Sequence, residues 1–178
     1  MGSAKDILIE IIRQAGGVFE GKTRLYKVFY FAHLFYFELS DGRILSEHPI
    51  VQMPEGPGID RGDQLLRELK REKRIQVDSR QTGPYSEMIY RLIGDQPTSL
   101  DREARSAIKE ACTYVVGRSA QDLSAITHEF SHAWRIASSG EELNIYQDTL
   151  SDDQREMQRQ QIDEARKAIT AALHGPQN

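Results

Sequence analysis

Thr23-Arg24-Leu25-Tyr26-Lys27-Val28-Phe29-Tyr30-Phe31-Ala32-His33, continued by Leu34-Phe35-Tyr36-Phe37-Glu38-Leu39, is the segment around which the rest of the chain has to be arranged. Apolar side chains fall on nearly every face of a helix drawn through it, and such a helix is stable only when protein surrounds it. It carries Lys27, His33 and Glu38 and is shorter than the roughly 20 apolar residues a bilayer span needs, so it reads as a buried post and not a membrane anchor. Ser40-Asp41-Gly42 breaks it. The series Tyr26, Phe29, Tyr30, His33 and Phe37 could form a binding groove, but aromatics at helical spacing are more often core; Tyr30 and His33 are the members that could open toward a partner, and they need hydrogen-bond partners if their polar tips are buried.

Working outward, Ile7, Leu8, Ile11, Ile12 and Ala15 recur at helical spacing, with Lys5, Glu10, Arg13 and Gln14 assigned to the opposite face and Gly16-Gly17 as the stop. From Arg43 to Asp60 the prolines and glycines point to a structured loop, with Pro49 to Met53 able to extend briefly. Leu65, Leu66 and Leu69 predict a third helix. Ile75 to Val77 and Met88 to Ile93 predict strands, with Ser79 to Ser86 as the loop between them, the outline of a winged-helix unit. Thr98 or Ser99 is the expected cap of a helix to Val116, Ser119 and Asp122 have the spacing of a capping box, and Ser151 and Gln154 repeat it before a C-terminal helix over 151–175. That last helix is polar from Asp152 to Gln161 apart from Met157, then carries an apolar stripe of Ile162, Ala165, Ile169, Ala172 and Leu173.

The fold class expected is mainly α, a single compact helical domain over 1–178 with a small antiparallel β-ribbon resembling a wing. A length of 178 residues requires no second domain. The net charge of −4 does not advertise nucleic acid or anionic membrane, and the single Cys112 leaves no internal disulfide, as expected in the cytoplasm. No basic segment followed by an apolar run opens the chain, so no secretory leader is expected.

The helix from Thr23 to His33, then Gly42, Leu45, Gly56-Pro57, and finally Thr127-His128 with Trp134, occur in an order and spacing that resembles the Panacea, or SocA-like, antitoxin domain. Members of that family typically carry a Lys-Leu-x-Lys-Leu-Leu-Tyr-Phe-Ala helix, a Gly-Pro ahead of the next helix, and a late Thr-His ending in Trp. The similar region runs over 5–137. Arg24 replaces the usual Lys, Gly58 the usual Val, and Ala133 the Pro often found before the final Trp. The resemblance implies a helical protein that neutralises a cognate toxin, usually encoded beside it, by direct contact and without catalysis or cofactor. The implied contact surface joins the Gly56-Pro57 loop to Lys27, Tyr30 and His33 on one helix and Thr127, His128 and Trp134 on another, with Tyr30 and Trp134 as aromatic anchors.

Two other chemistries compete for the same residues. On one continuous helix, His128 and His132 would share a face with Glu129 beside them, the arrangement of a zinc peptidase. No third ligand is marked, since Arg135 and Ser138 stand where the metzincin pattern needs Gly and His. The run Lys70-Arg71-Glu72-Lys73-Arg74 with Arg80 invites a winged-helix DNA-binding autoregulator, but residues 59–81 hold seven basic against five acidic side chains, a weak excess for a phosphate backbone. Cys112 inside a helix is expected to be a small buried residue and not a nucleophile.

Overall fold

A computed structural model of the chain describes residues 2–173. Helix α2 (Lys22–Leu39) is the post: from Leu25 to Leu34 every residue is buried. Around it lie α1 (Ala4–Gln14) and α4 (Arg102–Val115), whose Ala104, Ala107, Ile108 and Ala111 let the two helices approach closely. One continuous apolar cluster runs from α1 to a short 3-10 helix at Ile145–Thr149. Each large side chain fully buried in it is worth about 1.5–3 kcal/mol.

Two small sheets flank the post. Strand β1 (Val18–Glu20), which the sequence reading did not anticipate, joins β4 (Ile75–Thr82) and β5 (Tyr85–Leu92) in the antiparallel order β1-β5-β4. Three residues of Gly-bounded chain carry no periodicity, and β1 exists because β5 offers it a ladder. The expected loop from Ser79 to Ser86 is mostly strand: the register runs unbroken to Thr82 opposite Tyr85, leaving only Gly83-Pro84 as a two-residue turn. With α3 (Gly62–Arg71), these strands form the expected wing-like unit.

The second sheet occupies the Pro/Gly-rich segment. Strands β2 (Ile50–Met53) and β3 (Gly56–Ile59) pair with Met53 opposite Gly56, so Pro54-Glu55 is the turn. Pro57 is tolerated because its position in the register faces away from β2, where no amide is needed. Residues 140–143 add an extended segment on the other edge, with Gln52 N–H donating to Glu141 O at 2.8 Å and Leu143 N–H to Ile50 O at 2.8 Å.

Other expectations are corrected. The cap of α4 is Asp101, which accepts from Ala104 N–H at 2.7 Å, whereas Ser99 donates to Asp6 and Thr98 to Glu10 on α1. Glu10 is buried, not on a solvated face, because Arg13, Gln14 and Thr98 enclose its carboxylate. The capping box of Ser119 and Asp122 forms as expected, as does the reciprocal pair Ser151 and Gln154.

Helix α7 (Asp152–Leu173) closes the described chain, where a C-terminal helix was expected. Ile162 and Ile169 of its stripe are undocked, 46% and 59% exposed. Arg155 ties its first turn to Gln147 O and Leu150 O. The expected close of the helix at His174 and Gly175-Pro176 lies outside the described residues.

Candidate functional site

The residues singled out by the sequence converge on one region, but mostly from beneath. Helix α5 (Ala120–Phe130) ends at Phe130, and α6 (His132–Ile136) starts after Ser131, which closes one helix and caps the other. Extended backbone at Ser131 turns the chain, and its hydroxyl accepts from Trp134 N–H at 3.1 Å. This corner breaks the continuous helix that the zinc reading assumed: His128 and His132 lie on different helices. Among the described residues, no group of three or more His, Cys, Asp or Glu side chains is placed to hold a metal ion.

The corner is held by Asp148, a residue without any marking in the sequence. Its buried carboxylate accepts from Tyr30 OH at 2.7 Å, Ser131 OH at 2.7 Å and Ala133 N–H at 3.0 Å. Burial, reinforced by Asp148, raises Tyr30 well above the usual phenol range, so its proton stays available to donate. Tyr30 is completely buried, and its hydroxyl shares the Asp148 carboxylate with the start of α6. Ala133, where the resemblance would allow Pro, supplies an N–H that proline lacks.

Trp134 links this corner to the hairpin. Its indole N–H donates to Met53 O at 2.8 Å, and its ring stacks on His128 at 3.9 Å and 8°. His128 and Trp134 each keep part of their surface exposed. At the ends of α5 and α6, Phe130 and Ile136 are 49% and 65% exposed.

Lys27, Gly56 and Thr127 meet on the inner side of the hairpin. The Lys27 ammonium donates to Glu55 O and, at 3.3 Å, to Pro57 O, while Ser124 OH holds the Glu55 carboxylate at 3.1 Å. Burial lowers Lys27 to about 8, partly countered by Glu55. Thr127 is fully buried and returns its hydroxyl to its own helix, donating to Leu123 O at 2.9 Å. A Cβ on Gly56, whose φ is +99°, would sit 2.4 Å from both Lys27 Nζ and Thr127 Oγ1. Glycine is required there for space and for backbone conformation.

His33 faces a different part of the core. Its Nδ1 lies 2.8 Å from Phe29 O, a pure acceptor, so Nδ1 carries the proton and Nε2 accepts from Ser46 OH at 2.9 Å. Complete burial lowers its pKa to about 4. The need for polar partners at Tyr30 and His33 is thus met internally. Cys112 is buried, and burial pushes its thiol up to about 12, which leaves no thiolate for nucleophilic chemistry. On the wing, Arg80 is shared by Glu20 and Glu87, each at 2.8 Å, which neutralises the cation a DNA contact would use.

Sequence reasoning found the motif residues but missed Asp148, Ser131 and Met53. The one available signal was that buried Tyr30 needed an acceptor. No curated protein and no solved structure matches the chain. Residues 25–135, which run from Leu25 in α2 through both sheets' hairpins and the Ser131 corner into α6, match the family described as antitoxin SocA-like, Panacea domain, and the chain belongs to that family.

Proposed function

We propose that this protein is an antitoxin that neutralises a cognate toxin in the cytoplasm by direct contact and without catalysis, and that the contact centres on the Ser131 corner beside the β2–β3 hairpin. The observation that carries the placement is the exposure of Phe130 and Ile136, the last residues of the two short helices that also carry the half-buried Trp134 and His128 stack. Aromatic and aliphatic side chains gathered on a rigid corner form the kind of anchor on which interfaces depend. Lys27, Tyr30, Gly56, Pro57 and Thr127 serve this surface from underneath, whereas His33, bonded to Phe29 O and Ser46, lies apart from it. The former set the positions of the hairpin and the corner, while the contacts come from Phe130, Trp134, Ile136 and Pro54 at the hairpin tip.

The test is co-expression with the product of the neighbouring open reading frame, scored by growth rescue and co-purification. Phe130→Asp with Ile136→Asp is expected to abolish both while the circular dichroism spectrum stays unchanged. Rescue by this double variant would remove the corner as the contact surface. A wild-type chain that neither rescues growth nor co-purifies would remove the antitoxin reading itself.

A further inference from the structure

A groove with an apolar floor and a basic rim starts at the hairpin and runs along α3 toward β4. Its first chamber, about 400 Å³, is walled by Tyr26, Met53, Pro57 and Gly58. Its second, about 370 Å³, is floored by Leu66, Val77 and Met88. Lys22 and Asp63 line both, and their ion pair at 3.2 Å is the partition between the chambers. Around the two chambers stand Lys22, Arg61, Arg67 and Lys70, all exposed, against Asp63 and Glu55. Asp63 also accepts from Tyr26 OH at 3.2 Å, and Ser124 holds Glu55, so both acids are already engaged by the protein. Arg67 and Lys70 have no acidic partner among the described residues. On a chain whose net charge is −4, this concentration of cations around apolar hollows is local and specific.

We infer that this groove binds an extended, acidic segment of a partner protein, one apolar side chain entering each chamber while flanking carboxylates pair with Arg67, Lys70 and Lys22. An extended chain places alternate side chains on the same side about 7 Å apart, which suits two adjoining hollows. The carboxylates would also relieve Lys22 of its dependence on Asp63. Single-stranded nucleic acid fits the same charges less well. Stacking needs exposed aromatic faces, whereas Tyr26 and Tyr90 beside the chambers are only 8% and 1% exposed. Lys22, Arg67 and Lys70 also supply little of the phosphate neutralisation that drives such binding. The inference does not depend on the toxin reading, because the groove shares only the hairpin and Lys27 beneath it with the proposed toxin-facing corner.

The experiment uses the full chain and a fluorescein-labelled decapeptide in which two Leu residues, two positions apart, are flanked by Glu. The controls are the same peptide with Lys for Glu and a ten-nucleotide oligo(dT). Anisotropy gives affinity, and amide chemical shifts give the location. The expected result is binding of the acidic peptide alone, with shifts at Lys22, Asp63 and Lys70, and a loss of roughly tenfold or more in Arg67→Glu/Lys70→Glu. Shifts confined to other surfaces, no binding of the acidic peptide, or oligo(dT) binding more tightly through the same residues would each overturn the proposal. These readings are made without the toxin, so they stand or fall separately from the antitoxin assignment.

Discussion

The hydroxyl of Tyr30 lies 2.7 Å from the carboxylate of Asp148, and through that contact the centre of α2 holds a segment 118 residues later in the chain. The same carboxylate orders Ser131 and Ala133, so one buried acid connects the central helix, the 3-10 helix and the corner between α5 and α6. Tyr30→Phe is expected to cost about 1–2 kcal/mol, and Asp148→Ala on the order of 3 kcal/mol because it leaves three donors unmatched. In the double variant the two losses should fall short of their sum by about 1 kcal/mol or more. Urea unfolding of the four proteins measures this, and additive losses would mean the contact contributes nothing.

Gly56→Ala should destabilise the fold by roughly 2–3 kcal/mol, since it adds a Cβ against Lys27 Nζ and Thr127 Oγ1 at a positive φ. Gly83→Ala offers the comparison: its φ is +61°, but a Cβ there would meet nothing within 4 Å, so only backbone strain remains. Thermal melts of the two variants should therefore differ clearly, with the Gly56 variant the less stable. Equal melting temperatures would show that the close approach is relieved at little cost.

His33 makes stability depend on mildly acidic pH. Its pKa is about 4 in the fold and about 6.5 when unfolded, so between these values the unfolded chain binds the extra proton. Stability from this residue is complete above pH 6.5 and is lost as pH falls toward 4, by roughly 3 kcal/mol over the window. Imidazole chemical shifts of the folded protein should show one ring that does not titrate down to pH 5. A His33 ring titrating near 6.5 would contradict the buried, neutral tautomer.

Removing α7 should leave the rest of the fold standing. Its apolar residues Met157, Ile162 and Ile169 are exposed, and its first turn is tied down chiefly by Arg155. A chain ending at Ser151 is expected to lose about 1 kcal/mol or less in chemical unfolding, because exposed polar contacts contribute little. A loss above about 3 kcal/mol would mean that α7 packs on the core in solution.

Local patterning was enough to determine the helices of this protein. An all-round apolar α2 must be central, the 3.6-residue recurrence at Ile7 to Ile12 must face it, and the Ser119-Asp122 pair must open a helix, because each of these depends on residues within one or two turns. The motif residues were equally legible as positions. What they touch was decided only by tertiary contacts between distant segments. Tyr30 and Trp134 resemble surface anchors on a sequence line, yet Tyr30 is completely enclosed and Trp134 is partly committed to Met53 O, because partners from residues 53 and 148 reach them in space. The same reason separates His128 from His132: helical spacing suggested one face, but Ser131 takes an extended conformation that Asp148 stabilises from seventeen residues away. Strand β1 and the apposition of β2 with β3 likewise depend on backbone partners that no short window contains. Helical pattern is written locally, whereas strand pairing, buried polar satisfaction and the end of a helix against a distant carboxylate are properties of the folded whole.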